Sequence, residues 1–158
     1  MYDVELVTTS NPVACGATSL KMLLEYYGIS VPLDQLIEEC NVRLIGCTGK
    51  DIMQTARAHG MTDISAWKMD AAELILQDRP AIIFWNHSHF VVFSGRDDNG
   101  NVWICNPARG RFPLDEGTFS SLYSGIAFFN GEPETLPESE IATVADYETA
   151  LGRLGVEV

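Results

Sequence analysis

Hydrophobic and polar positions follow a helical pattern in the first half of the chain and a strand pattern in the second half. The predicted helices occupy residues 12–27, 32–40, 49–59 and 70–77. The predicted strands occupy residues 80–85, 90–95, 102–106 and 126–130, all rich in β-branched and aromatic side chains. Helices followed by an antiparallel sheet predict an α+β domain.

The first predicted helix carries clear boundary signals. Asn11 is a good N-cap residue, and Pro12 suits the first helical position, where its missing N–H costs nothing. Gly28 marks the end of the helix. An apolar stripe is formed by Ala17, Leu20, Leu24 and Tyr27. We therefore expect a helix anchored on the core, with Cys15 in its first turn.

Similar signals bound the other elements. Thr48 and Asp70 mark helix starts, and Gly60 marks a helix end. The run 97–101, Asp-Asp-Asn-Gly-Asn, predicts a hairpin turn between two strands.

Composition and charge set the class of protein. The 158 residues are 46% apolar, enough for one compact domain with a sizeable core. The net charge of −12 argues against nucleic acid as a partner.

Residues 1–130 hold 9 basic and 15 acidic side chains, whereas residues 131–158 hold 1 basic and 7 acidic side chains. We therefore expect a domain over 1–130 and, over 131–158, an acidic linker followed by a short helix at 143–154.

The chain lacks sequence features of membrane insertion and secretion. It contains no run of about eighteen apolar residues, and its start has no basic region typical of a signal peptide. Four cysteines without regular spacing suit a reducing compartment. We expect a cytoplasmic location and no direct insertion into a membrane.

Three residues provide the parts of a thiol nucleophile. Cys15 starts a helix, where free N–H groups and the helix dipole favour the thiolate. His89 opens an apolar strand, and Asn106 ends a later strand. Through its side-chain carbonyl, Asn106 would accept a hydrogen bond from one His89 nitrogen and leave the other facing sulfur. This pattern predicts a cysteine hydrolase.

The remaining cysteines and histidines have simpler interpretations. Cys40 and Cys105 are expected in the core, while Cys47, in a glycine-rich loop, is left open. His87 would share a strand face with His89. No ligand spacing supports zinc, so we expect neither a metal nor another cofactor.

Residues 11–130 resemble a known family, the bacteriocin-processing or double-glycine leader peptidases. These are papain-like domains usually found at the N-terminus of peptidase-containing ABC exporters. The motifs that carry the resemblance are Cys15-Gly16-Ala17-Thr18-Ser19-Leu20, His89-Phe90-Val91-Val92 and Asn106-Pro107-Ala108. The resemblance implies a papain-like fold, with N-terminal helices packed on a C-terminal antiparallel sheet.

The same resemblance implies an activity and partners. The family cleaves a leader peptide after a Gly-Gly or Gly-Ala pair, and the membrane portion of an ABC exporter would place the chain at the cytoplasmic face. Cys15 matches the nucleophile and His89 the general base and acid. Asn106 stands where the family has an orienting aspartate. Gly16, beside the sulfur, and Trp85 are candidate substrate-binding residues.

One departure from the family concerns the oxyanion donor. The family has a glutamine six residues before the cysteine, and this chain has Thr9 there. Thr9 or Asn11 would have to donate instead, which predicts reduced activity. The alternative function is a binding module that holds a leader peptide for export without cutting it. A papain-like acyltransferase is a third hypothesis.

Overall fold

The computed structural model describes residues 1–42 and 46–134, which form five helices and six strands. The helices are α1 (Cys15–Tyr26), α2 (Leu33–Glu39), α3 (Gly49–Ala58), α4 (Ala71–Leu76) and α5 (Glu116–Leu122). The strands are β1 (Ile64–Lys68), β2 (Ala81–Trp85), β3 (His89–Arg96), β4 (Val102–Asn106), β5 (Gly110–Leu114) and β6 (Tyr123–Asn130).

The six strands form one antiparallel sheet in the order β1-β6-β2-β3-β4-β5. Strand β2 is buried along its whole length. Trp85 pairs with His89 across β2 and β3, and Asn106 pairs with Gly110 across β4 and β5. The ends of β2 and β4 and the starts of β3 and β5 therefore meet at one end of the sheet.

Each face of the sheet covers a hydrophobic core. Helices α1 to α3 pack on one face, where Phe90, Val92 and Cys105 belong to the same cluster as Leu20. Helices α4 and α5 pack on the other face, which includes Phe119. The predicted α+β class is confirmed, with helices on both faces of the sheet.

Several helix boundaries follow the sequence signals. Thr48 and Asp70 each form a capping box with the residue three positions later. Gly28 and Gly60 have positive φ angles and donate to carbonyls in the last turns of α1 and α3, as in a Schellman motif. The hairpin at 97–101 is also present, with Asp97 Oδ1 accepting two backbone N–H groups.

The expected start of the first helix is wrong. Helix α1 begins at Cys15, its N-cap is Ala14, and no side chain caps it. Asn11 Oδ1 instead accepts from Val13 N–H in a local turn that precedes the helix. Tyr27, expected on the apolar stripe, lies past the end of α1 and is 37% exposed.

The sequence pattern missed β1, β5 and α5. Both missed strands lie at the edges of the sheet, where short segments with few buried positions suffice. Strand β5 contains Pro113, which is tolerated on an edge strand because no neighbour needs its N–H. Helix α5 has only one buried residue, Phe119, and begins at the cap Asp115. The sequence pattern did not predict these three elements because their hydrophobic periodicity is weak.

The segment expected to begin the linker is attached to the domain. Gly131 N–H donates to the Asp63 carbonyl. The Gln77 side chain, 1% exposed, bonds both backbone groups of Glu134. The predicted helix at 143–154 lies outside the described residues.

Candidate active site

Cys15 is the first residue of α1 and is 5% exposed. Helix α1 is held against strand β3, because Ser19 Oγ donates to the Phe90 carbonyl. The first turn packs closely: a β-carbon on Gly16 would lie 3.3 Å from the Phe90 ring. Cys15 therefore sits on a rigid element beside the start of β3.

The sulfur of Cys15 is surrounded by backbone N–H groups and by hydrocarbon. Burial raises the pKa of the thiol above its ordinary value, while N–H groups of Phe90, Gly16 and Cys15 itself act to lower it. Burial is the larger effect. The expected readily ionised thiolate is therefore wrong for this arrangement, in which the neutral thiol is favoured.

His89 begins β3, as the sequence predicts, and lies opposite Trp85 on β2. Burial lowers the pKa of the imidazole, and the nearby positive charge of Arg109 lowers it further. Across the described residues, no hydrogen bond joins Cys15 Sγ to the His89 ring. The sulfur lies instead at the N–H of Phe90, the residue that follows His89.

Asn106 ends β4 beside His89, but its orientation differs from the expected one. Asn106 Nδ2, not its carbonyl oxygen, lies 3.5 Å from His89 Nε2. The carbonyl oxygen accepts from Ala108 N–H at 2.9 Å, closing a turn over Pro107. The prediction that this oxygen steers the imidazole is therefore wrong in this geometry, because the turn holds it elsewhere.

Thr9 and Asn11 lie on the segment that leads into α1. Thr9 N–H donates to the Pro107 carbonyl, which brings this segment to the turn that contains Asn106. Thr9 Oγ1 accepts from Asn11 N–H, and Asn11 Oδ1 accepts from Val13 N–H. The Thr9 hydroxyl hydrogen and the Asn11 NH₂ are the side-chain donors that this segment can offer to an oxyanion.

The two candidate substrate-binding residues occupy different surroundings. Gly16 is buried against Cys47, Ile52 and Phe90, so its observed role is close packing. Trp85 is mostly buried on Phe119, at a ring separation of 5.8 Å. Contact of either residue with a substrate stays a prediction.

A cavity of about 440 Å³ adjoins His89, Asn106 and Trp85. Its other lining residues are Asn86, Ser88, Arg109, Phe112, Leu114 and Leu122. The sequence pattern missed Arg109 as a site residue, although Arg109 follows the Asn106 turn directly. It also missed Phe112, Leu114 and Leu122, because they belong to elements that it did not predict.

The other cysteines are fully buried. The predicted core positions of Cys40 and Cys105 are confirmed, and Cys47 is buried as well. A hydrogen bond to Cys40 and burial both raise the pKa of Cys47, so this thiol stays protonated. His87 lies in the turn between β2 and β3 with a φ of 56°, so the expected face shared with His89 is wrong.

Neither a metal site nor a membrane span is present in the part of the chain that the structure describes. Among residues 1–42 and 46–134, no three His, Cys, Asp or Glu side chains lie where they could share a metal ion. None of the helices in these two segments combines the length and apolar character needed to cross a membrane.

Two Escherichia coli proteins are similar to this chain in sequence. A probable microcin secretion/processing ATP-binding protein of Escherichia coli is 30% identical over 137 residues, which are 87% of this chain and 19% of that protein. The Escherichia coli colicin V secretion/processing ATP-binding protein is 28% identical over 137 residues, which are again 87% of this chain and 19% of that protein. This chain therefore spans about a fifth of the length of these relatives.

Solved structures of peptidase domains have the same fold as this chain. The crystal structure of a double glycine motif protease from an AMS/PCAT transporter, in complex with the leader peptide, matches with a TM-score of 0.71 and 28% identity. The match covers 80% of this chain and 90% of that one. The peptidase domain of a bi-functional Streptococcus ABC transporter matches with a TM-score of 0.67 at 21% identity, over 80% and 96% of the two chains, and supports the fold alone.

The fold and these relatives define a papain-like cysteine peptidase domain. The model of the peptidase C39 family matches residues 3–134. The chain belongs to the peptidase C39 family.

Proposed function

We propose that this chain cleaves a leader peptide after a Gly-Gly or Gly-Ala pair, during the maturation and export of a bacteriocin or similar peptide. One observation carries the proposal. In a peptidase C39 domain, the backbone N–H of Phe90 interacts with the Cys15 thiol, and Phe90 directly follows His89, whose ring contacts Asn106. The related protease structure in complex with a leader peptide supports the substrate class.

The chemistry follows from the three side chains. His89 takes the proton of the Cys15 thiol as the sulfur attacks the carbonyl carbon of the second residue of the Gly-Gly or Gly-Ala pair. The protonated His89 then gives this proton to the leaving nitrogen as the C–N bond breaks, which leaves an acyl-enzyme thioester. Water, deprotonated by His89, attacks the thioester and releases the acid and the thiol. No external oxidant or reductant is needed.

The oxyanion that forms during attack needs N–H or O–H donors. The backbone N–H of Cys15 provides one, and the Thr9 hydroxyl or the Asn11 amide provides the second. Loss of one good donor costs about 10²–10³ in rate, so we propose that Thr9, in place of glutamine, makes this a slow peptidase.

The cellular setting is also a proposal. The Escherichia coli relatives are secretion/processing ATP-binding proteins, and this chain covers only a fifth of their length. We infer that the domain acts with the membrane portion of an ABC exporter at its cytoplasmic face.

A second function, binding of a leader peptide without cleavage, is favoured by the electrostatics of the site. Burial raises the pKa of Cys15 and lowers that of His89, so a thiolate–imidazolium pair is disfavoured. In addition, Asn106 presents its nitrogen to His89. Both features weaken Cys15 as a nucleophile, whereas binding of a peptide requires neither an ionised thiol nor an oriented imidazole.

The two functions separate in one experiment. A panel of double-glycine leader peptides is incubated with the wild type, Cys15→Ala and Thr9→Gln, and cleavage is followed by mass spectrometry. The peptidase proposal expects cleavage after the glycine pair, none with Cys15→Ala, and faster cleavage with Thr9→Gln. Binding of the peptides without cleavage by the wild type or Thr9→Gln would replace it with the binding module.

A further inference from the structure

The cavity beside His89 combines an apolar surface with one free positive charge. His89 and Asn106 line one part of it. The partly buried side chains of Phe112, Leu114 and Leu122 supply apolar lining. Arg109 is an exposed member of the lining, and its charge is close enough to lower the pKa of His89.

Arg109 differs from the other arginines of the described residues. The others make side-chain contacts: Arg57 with the Ile64 carbonyl, Arg79 with the Gln77 and Asn130 carbonyls, Arg96 with Glu116, and Arg111 with the Val4 carbonyl. Within residues 1–42 and 46–134, the Arg109 side chain has no hydrogen bond or ion pair. In a chain with 22 acidic and 10 basic side chains, an unpaired guanidinium at a cavity is available for an anionic ligand.

The reaction fixes which part of a peptide would reach this cavity. His89 must protonate the leaving nitrogen, so the residue that follows the cleaved bond has to lie on the His89 side of the site. The two residues before the bond are small, Gly-Gly or Gly-Ala, and cannot fill an apolar cavity. The first large side chain near His89 therefore belongs to the residue after the bond.

We propose that this cavity is the binding site for the residue that follows the cleavage site, and that Arg109 selects a carboxylate side chain there. The guanidinium pairs with the carboxylate, and the methylene groups of the ligand contact the apolar lining. The inference rests on the proposed function for the direction of the peptide. The preference for a carboxylate at Arg109 is independent of turnover.

The test measures binding to the Cys15→Ala protein, which cannot cut. Fluorescent peptides carry the same leader and glycine pair, followed by Glu, Gln or Lys, and anisotropy gives the affinity. Glu should bind about three- to tenfold more tightly than Gln, and Lys should bind most weakly. Adding Arg109→Gln should abolish the preference, whereas Arg109→Lys should keep part of it.

Arg96→Gln, in the same Cys15→Ala background, is the matched control. Arg96 is an arginine at the opposite end of β3 from His89, paired with Glu116, and its loss should leave the Glu preference unchanged. Equal affinities for the Glu and Gln peptides, or no binding of the Glu peptide, would overturn the proposal. So would a preference that survives Arg109→Gln.

Cleavage of the same peptides by the wild type separates this inference from the proposed function. Discrimination in binding without any cleavage would uphold the Arg109 site and reject the peptidase. Cleavage at equal rates with equal affinities for Glu and Gln would uphold the peptidase and reject the Arg109 site.

Discussion

Asn106 Nδ2 lies 3.5 Å from His89 Nε2, while Asn106 Oδ1 accepts a hydrogen bond from Ala108 N–H. An amide nitrogen only donates, so this contact favours the imidazole tautomer with the proton on Nδ1. A general base that uses Nδ1 needs a free lone pair on that nitrogen. The turn at Pro107 thus competes with catalysis for the one oxygen of Asn106.

Asn106→Asp should therefore increase activity. A carboxylate has two acceptor oxygens, one for Ala108 N–H and one for the protonated Nε2 of His89. This fixes the tautomer whose Nδ1 lone pair is free, and the negative charge stabilises the imidazolium that forms as His89 takes the thiol proton, so we expect kcat/KM at pH 7 to rise about tenfold or more. Peptide cleavage assays measure the change. Asn106→Ala is the control and should lower activity; equal activity of Asp and Asn would show that Asn106 does not orient His89.

The electrostatics of Cys15 and His89 predict the pH dependence of the site. The pKa of His89 lies below its ordinary 6.5 and that of Cys15 above its ordinary 9.0. Between the two values, the pair is neutral thiol and neutral imidazole, the form in which His89 acts as base. We expect kcat/KM to fall as the pH drops through a value below 6.5, because His89 is then protonated. The apparent pKa read from the pH profile belongs to the Cys15–His89 pair and not to either residue alone.

Alkylation by iodoacetamide checks the same arrangement without a substrate. Cys15 should react before the other three cysteines, which are fully buried, and its rate should increase with pH through the alkaline range. Mass mapping identifies the modified residue, and Cys15→Ala is the control. Rapid modification of Cys15 at pH 6 would demonstrate an ion pair and contradict the neutral form.

The places of Cys15, His89 and Asn106 in the fold were predictable because each follows from a local pattern. Cys15 begins an apolar helix, His89 opens an apolar strand and Asn106 precedes a proline, and the structure has these elements at those positions. The antiparallel order of β2, β3 and β4 then brings the strand ends together. Local chemistry plus hairpin topology was sufficient for this much.

The rest depends on tertiary packing, which the local pattern does not contain. Burial raises the pKa of Cys15, and the core cluster that contains Cys15 includes residues distant in sequence, such as Ile52 and Phe90. The orientation of Asn106 depends on the turn at Pro107, because Asn106 Oδ1 could have accepted a hydrogen bond from either Ala108 N–H or the His89 ring. The cavity near Arg109 is lined by β5 and α5, whose weak periodicity concealed them.

The contacts of Gln77 predict a stability effect at the end of the described domain. The buried Gln77 amide donates to the Glu73 and Glu134 carbonyls and accepts from Glu134 N–H. Gln77→Ala should lower the free energy of unfolding by about 1–2 kcal/mol, because these groups lose their partner. It should also speed proteolysis near residues 131–134. Gln35→Ala, at an exposed helical glutamine, is the control and should change stability little.

The contact between Gly16 and Cys47 predicts a coupled pair of mutations. A β-carbon on Gly16 would lie 2.7 Å from Cys47 Sγ and 3.1 Å from Ile52 Cδ1. Such overpacking typically costs about 1–3 kcal/mol, while alanine gains up to about 1 kcal/mol in helix propensity. Gly16→Ala should therefore lower the free energy of unfolding by about 1–2 kcal/mol in urea titrations, and reduce cleavage by displacing Cys15.

Cys47→Ala removes the sulfur that the new methyl group would meet. In that background, Gly16→Ala should cost little or become stabilising, and the double-mutant cycle should give a coupling of about 1–2 kcal/mol. Cleavage should recover with stability, since α1 can return to its position against β3. If the cost of Gly16→Ala is the same with and without Cys47, the close approach to the sulfur is not what requires glycine here. A substrate contact would then become the better explanation for this residue, because a methyl group would obstruct the peptide regardless of Cys47.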